Sequence, residues 1–504
     1  MRVVTRSVDR TLLLLLLGAA AYLYFNLFSF PRAAFLLGGD QVFFWMDAQR
    51  MLDGGRIYQD FLQFTPPGTD LVYLAFFKAF GLKIWVANAV VLVLGVALCW
   101  MCFALAVEVM ERRFAILTAF LYIVLVYGRS MNATHHFFSV LAVLGAVKIG
   151  MRSTGVRVLA AGALLGIASF FTQTHGVAAL VGFIVFLVLK QLRAKGAWRD
   201  ALRNEALLLF GFMAALLLLS APVLGAVGWK QLWYFQVTYV RGFVVESAQG
   251  AFLGLPEALS WHALPRLAPY LVVYLTLVAV YPVSLWRCWR ERLNPEFPWE
   301  KVALLSIVGM LLLVGVAFSP NWLRIFAVSL PGVILLVWLV GQVREMQRYA
   351  IGLIWVCLAL VAVRQTRANH LVHSQVAEMP GGMVATTPQS YEKLQWILLH
   401  SRPREYFFQA PWPGMYLPLH LRNPLFIDQV LPGMGNHPEE IALAISQLEE
   451  KRVPYVLWAP RLDSAEGRAV HAQDNVEPLR EYLHAQYSRV MVFPDGDEIW
   501  QRND

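Results

Sequence analysis

Eleven apolar runs, each about 15 to 25 residues long, govern what this chain can become. They fall at roughly 11–30, 84–107, 114–128, 135–151, 156–173, 175–190, 206–227, 267–286, 302–319, 322–341 and 349–364. As a helix, a run of this length crosses a hydrocarbon layer about 30 Å thick and satisfies its own backbone polar groups. The basic residues give the orientation. Arg112 and Arg113, Lys148 and Arg152, and five arginines and lysines between 190 and 203 fall in alternate loops. Arg287, Arg290, Arg292 and Lys301 follow, then Arg344 and Arg348. Those loops are the inside ones, so the N-terminus is inside and eleven spans leave the tail outside.

Only 15% of the residues are charged, which excludes an ordinary soluble domain, where the figure is about 25%. The net charge of +9 does not indicate nucleic acid, because most basic residues before 350 sit beside apolar runs. There they suit anionic lipid headgroups. Arg2, Arg6 and Arg10 precede the first run, which holds six consecutive leucines. That pattern also fits a secretory signal, but the run is long enough to span and lacks a small-x-small cleavage site near its end. A retained signal-anchor is expected.

Residues 1–365 thus read as a transmembrane domain with two long outer loops, 31–83 and 228–266. From 366 to 504 charges, histidines and prolines return to soluble proportions. There 388–399 and 439–451 read as helices, and 405–409, 425–427 and 454–458 as strands. The expected fold is an all-α polytopic membrane protein with a small C-terminal α/β extracytoplasmic domain. None of the cysteines, Cys99, Cys102, Cys288 and Cys357, lies in that domain, so no disulfide is expected there.

The first outer loop carries the densest chemistry. From Gly38 to Gly68 it reads GGDQVFFWMDAQRMLDGGRIYQDFLQFTPPG. Residues 41–52 predict a helix stopped by Gly54-Gly55. Pro66 and Pro67 predict the start of another, with Thr65 as N-cap. The eleven residues from Asp70 to Phe80 are too few to span and are expected to lie along the interface. Asp40 has two readings, a general base near membrane level and an N-cap. Asp47, seven residues on, shares its helix face; Asp47 and Asp60 read as substrate contacts or as solvated carboxylates. Asp53 reads as a turn residue.

Other outer-face residues are candidate substrate contacts. Arg324, at the outer start of a span, can grip a phosphate with its fork of donors or snorkel to headgroups. Arg129 sits with Asn132, His135 and His136. His175 follows Thr172, Gln173 and Thr174, between spans with almost no loop, where pairing between helices competes with a cavity lining. Tyr239 and Arg241 belong to an aromatic and charged stretch that also suits headgroup level. No cofactor is expected, and a divalent metal has little support: the adjacent histidines diverge on a helix, and there is no HExxH or P-loop. The lone Cys99-x-x-Cys102 inside a span reads as packing.

The loop resembles the GT-C superfamily of membrane glycosyltransferases that use polyprenyl-phosphate sugars, such as protein O-mannosyltransferases and bacterial aminoarabinose transferases. The likeness rests on Asp40-Gln41, Ala48 with Met51-Leu52-Asp53-Gly54-Gly55, Tyr58-Gln59-Asp60 and Pro66-Pro67-Gly68. It implies an inverting sugar transfer from a lipid-phosphate donor to an acceptor outside a bacterial inner membrane. It implies Asp40 as the base and Arg324 as the donor-phosphate ligand. Three positions depart from the pattern. Gln41 replaces a second acid, Thr65 a basic residue, and the 129–136 region lacks an acid. Two other classes stay open: a lipid or anionic-solute transporter, and an accessory subunit of an envelope-assembly complex.

Overall fold

The computed structural model describes residues 10–503 except 30, 153–154, 195–197, 243–263, 318–320, 343–346, 432–435 and 464–474. Arg2, Arg6, Lys195, Arg344 and much of the second outer loop lie outside the described residues.

Each of the apolar runs holds a helix among the described residues. Among the described residues, seven helices are long and apolar enough to cross a membrane: α1 (Arg10–Leu27), α4 (Ile84–Ala106), Arg112–Ser130, α9 (Gln173–Ala194), α10 (Trp198–Val227), Trp299–Val316 and Ile351–Val372. An eighth is a broken pair, Trp322–Val328 and Leu330–Val340, bent by 61°. The break falls at Ser329, just before Pro331, which has no N–H to give a continuous ladder. α7 (His135–Gly150) and α8 (Gly155–Phe171) are apolar but shorter. At 1.5 Å per residue the 16 residues of α7 reach about 24 Å, less than the bilayer core. The run near 267–286 lies within a helix from Leu264 to Arg290.

The chain divides into two compact units. The first comprises residues up to Leu27, Val91–Leu219 and Tyr270–His370. Within it, α7 packs on α8, and α9 packs on Trp299–Val316. Glycine lets α8 and α10 approach closely. A Cβ on Gly162 would lie 2.1 Å from the Leu208 carbonyl oxygen, and one on Gly166 2.4 Å from that of Phe212. Lipid offers no hydrophobic drive between helices, so such backbone-to-backbone packing supplies the attraction. At the helix ends Glu108 accepts from Lys148 and Lys301, both at 2.6 Å.

The second unit gathers Phe28–Val90, Ser220–Pro269 and Leu371–Asp504, which are both outer loops and the tail. One sheet has the order β1-β2-β4-β3, with β1 (Phe28–Ser29) and β2 (Ala33–Phe35) from the first loop. β2 runs parallel to β4 (Gly382–Thr386), Ala34 opposite Val384, and β3 (Gln375–Met379) closes the edge. The other sheet, of β5 (Phe408–Gln409), β6 (Tyr455–Trp458), β7 (Tyr487–Val492) and β8 (Glu498–Arg502), has the order β5-β6-β8-β7 and comes wholly from the tail. α2 (Gln41–Leu52) and α3 (Gly68–Phe80) pack together. Tyr58 and Phe61 of the first loop share a core with Val430, Leu448 and Val456 of the tail. Burying an apolar side chain of that size contributes about 1.5–3 kcal/mol, so the loop is part of a folded body and not a flexible connector.

The tail helices Pro388–His400 and Pro438–Glu450 and strand β6 (Tyr455–Trp458) form where the sequence predicts them. The strand expected at 405–409 shrinks to β5 (Phe408–Gln409). No strand forms at 425–427, because its backbone groups are taken individually. Leu62 N–H donates to the Phe426 carbonyl, Gln447 accepts from Phe426 N–H, and Arg50 donates to the Leu425 carbonyl.

Candidate active site

Asp40 stands at the head of α2. Gly39 before it has φ +78°, a conformation that a side chain would strain. Gln41 Nε2 donates to the Gly38 carbonyl at 3.0 Å and fixes the turn. Asp40 occupies the N-cap position, but its backbone is helical and its side chain makes no capping bond. The carboxylate is half-buried. Helix capping is therefore not what holds this residue type here. The Thr65 N-cap expected for α3 also fails. α3 starts behind Pro67, and Thr65 instead donates through both N–H and Oγ1 to Gln63 Oε1, each at 2.9 Å.

That bond orients Gln63. With its oxygen accepting twice from Thr65, its amide nitrogen faces two carboxylates, Asp47 Oδ2 at 3.0 Å and Asp70 Oδ1 at 3.2 Å. Asp47 and Asp70 are fully buried, which replaces the solvated reading of Asp47. Asp47 Oδ1 and Asp70 Oδ2 have no hydrogen-bond partner among the described residues. Arg50, one helical turn on from Asp47, lies 4.0 Å from it and 2.7 Å from Asp428. Burial pushes the Asp47 carboxyl well above the usual range, and Asp428 and Asp70 push it further. Burial does the same to Asp70. It lifts Asp428 to about 7 against the pull of Arg50. Three buried carboxyls packed together, with one guanidinium beside two of them, cannot all ionise cheaply, so burial favours their protonated forms.

Asp60 is exposed and pairs with Arg56 in an i,i+4 bridge at 3.1 Å, the solvated reading. Tyr58, at φ +68°, is fully buried; its hydroxyl donates to the Thr65 carbonyl at 2.7 Å and accepts from Gln236. It ties the Tyr58-x-Asp60 segment to the Pro-Pro-Gly turn. Tyr239 is buried, its ring against Phe64, Phe235 and His437. Arg241 is exposed.

The histidines belong to the first unit, and the fold brings three of them together. The rings of His135 and His136 are 4.0 Å apart, and those of His136 and His175 5.2 Å. His175 Nδ1 bonds Ser139 Oγ at 2.7 Å. Arg324 is half-buried and within electrostatic reach of all three rings. Its backbone N–H is capped by Asn321 at 2.9 Å. Around the rings, buried polar atoms of Asn132, Thr134, Ser169 and Thr172 have no partner among the described residues, nor have His136 Nδ1 and His175 Nε2. Each such group costs about 1–3 kcal/mol unpaired, so their concentration marks a place suited to a polar ligand. Arg129, expected in the same cluster, is exposed. Among the described residues no group of three or more histidine, cysteine or carboxylate side chains is arranged to hold a metal ion.

Sequence reasoning missed Gln63, Asp70 and Asp428 as members of the carboxyl cluster. Asp70 is two residues into a helix with few other polar groups, and Asp428 is 378 positions from its partner. Only the lone charge in the first turn of α3 was there to be noticed.

No family model and no curated protein matches the chain by sequence. Solved structures match it by fold. ArnT from Cupriavidus metallidurans in the apo state aligns with a TM-score of 0.60 at 13% identity, over 98% of each chain. The same protein bound to undecaprenyl phosphate aligns at 0.55 and 12%, again over 98% of each chain. An oligosaccharyltransferase of Archaeoglobus fulgidus, in complex with Zn and sulfate, aligns at 0.52 and 14%, over 97% of this chain and 73% of its own. The chain therefore shares the fold of these polytopic proteins.

Proposed function

We propose that the protein is an inverting glycosyltransferase of the outer membrane face, moving a sugar from a polyprenyl-phosphate donor to an acceptor hydroxyl. Asp40 takes the acceptor proton as general base. The acceptor oxygen then forms its bond to the anomeric carbon as the bond from that carbon to the phosphate oxygen breaks on the opposite side. The leaving group departs as a lipid phosphate and needs no acid; it needs positive charge, which Arg324 supplies beside the His135, His136 and His175 cluster. A bacterial inner membrane, with the N-terminus inside and the tail outside, is the setting proposed for this reaction.

The observation that carries the reading is the state of Asp40. It is a half-buried carboxylate, set by an obligate glycine turn at the head of a rigid helix, and it is not engaged as a cap. The motif around it and the likeness of fold to ArnT support the same chemistry. The test uses purified protein in nanodiscs with a radiolabelled pool of polyprenyl-phosphate sugars and membrane extract. Wild type is expected to transfer label and Asp40→Asn to lose at least 100-fold while staying folded. Full activity in Asp40→Asn removes the catalytic assignment. No turnover by a folded wild type removes the transferase reading.

A further inference from the structure

At the far end of α2 from Asp40 there is a cavity of about 230 Å³ within the second unit. Its lining residues on and just after α2 run from Met46 to Asp53, about 9 to 20 Å along the helix from the proposed base. It is separate from the place of bond formation. It is also smaller than the 300–1,000 Å³ of drug-sized pockets, which leaves room for one or two rings.

Its lining is charged in an uneven way. Asp53 and Asp60 are there, but each is already taken, Asp53 by Arg422 at 3.0 Å and Arg404 at 3.2 Å, Asp60 by Arg56. Arg50 is held by Asp428 and lies 5.3 Å over the Phe61 ring. Lys451 differs from these. Its ammonium donates to the Pro424 carbonyl and sits 5.1 Å over the Tyr406 ring, with no carboxylate paired to it among the described residues. Burial and then the nearby Arg50 make that ammonium less stable than one in water. Lys451 is thus the lining cation not neutralised by a carboxylate among the described residues, and it faces a small cavity with flat aromatic walls, a setting that suits an oxyanion.

We propose that this cavity is a second ligand site, taking a sugar that bears a carboxylate or phosphate. Lys451 binds the oxyanion, and Tyr406 and Phe61 wall the ring. The distance from Asp40 makes its occupant a remote part of the acceptor, an assignment that rests on the transferase reading; the binding itself does not. Remote binding of this kind supplies orientation at the reacting end.

The test is a titration of full-length protein in nanodiscs with glucuronate, glucose 6-phosphate, glucose and inorganic phosphate. Glucuronate and glucose 6-phosphate are expected to bind at least tenfold tighter than glucose or free phosphate. Lys451→Met is expected to lose that preference, Lys451→Arg to keep it, and Asp40→Asn to bind as wild type does. Equal affinity for glucose, equal affinity for free phosphate, or binding unchanged in Lys451→Met overturns the proposal. Loss of transfer in Asp40→Asn with intact binding separates this site from the catalytic one.

Discussion

The Arg50 guanidinium donates to the Asp428 carboxylate at 2.7 Å, joining the helix that follows Asp40 to a segment 378 positions later. Both side chains are largely buried, at 13% and 9% exposure. The bond is part of a seam within the second unit. Gln49 donates to the Leu421 carbonyl, Lys83 to that of Pro380, and β2 lies alongside β4. Asp40 thus stands on a helix whose other end is anchored in the tail.

Removing one partner of this pair should cost more than removing both. Arg50→Met leaves a buried carboxyl without its cation, a loss of about 3–5 kcal/mol for such pairs. Arg50→Met with Asp428→Leu replaces both charges by apolar groups and is expected to recover most of that loss. Thermal unfolding of the purified protein measures both. Equal destabilisation by the single and double variants would mean that the pair does not couple the two segments.

The same cluster sets a pH dependence. Folding raises the Asp428 carboxyl from its ordinary 3.8 to about 7, chiefly by burial, and raises Asp47 and Asp70 in the same direction. The folded state then binds more protons than the unfolded one. The contribution is complete below about 4 and is lost as pH rises through about 7. Unfolding temperature should therefore fall between pH 5 and pH 8. Asp47→Asn, which cannot ionise, should show a shallower fall. A slope unchanged in Asp47→Asn would exclude this carboxyl as a source.

How much of this could be read beforehand follows the range of each interaction. α2 ends where Gly54-Gly55 predicts, and the apolar runs became helices, because periodicity, run length and glycine act locally. A hydropathy run does not show that α7 is only 16 residues or that Ser329 begins a break, because helix ends and bends depend on local backbone and packing. The strand expected at 425–427 failed because its partners, Leu62, Gln447 and Arg50, come from elements remote in sequence or of another type. Asp47 looked like a surface charge for the same reason; Gln63, Asp70 and Asp428 enclose it, and no spacing rule links them. Grouping of the three histidines was hinted at by His135-His136 and by His175 near the start of α9, but only helix packing sets their rings side by side.

Gly162 gives a test of the membrane packing. A Cβ there would approach the Leu208 carbonyl oxygen to 2.1 Å, and a backbone atom cannot yield as a side chain can. Gly162→Val should force α8 and α10 apart, costing about 1–3 kcal/mol as overpacking does. Gly155→Ala, at the start of the same helix, meets only the Leu207 side chain at 3.6 Å and should be near neutral. Detergent thermal shift compares the two. Matching stabilities would show that the close crossing does not contribute.

Arg324 tests the donor side of the proposed reaction. Its guanidinium lies near His135, His136 and His175, so it is a fixed positive charge among polar groups on buried helix ends. A charge-assisted bond to a phosphate is worth about 1.5–3 kcal/mol, or roughly 10- to 150-fold in affinity. If Arg324 holds the donor phosphate equally in the ground and transition states, Arg324→Ala should raise the donor KM by that factor and leave kcat nearly unchanged. If it acts chiefly on the departing phosphate, kcat should fall instead, because the charge it meets grows as the bond breaks. Arg324→Lys keeps the charge without the fork and should fall between wild type and alanine in either case. Initial rates over a donor series distinguish the two outcomes. Unchanged KM and kcat in Arg324→Ala would remove this residue from the reaction.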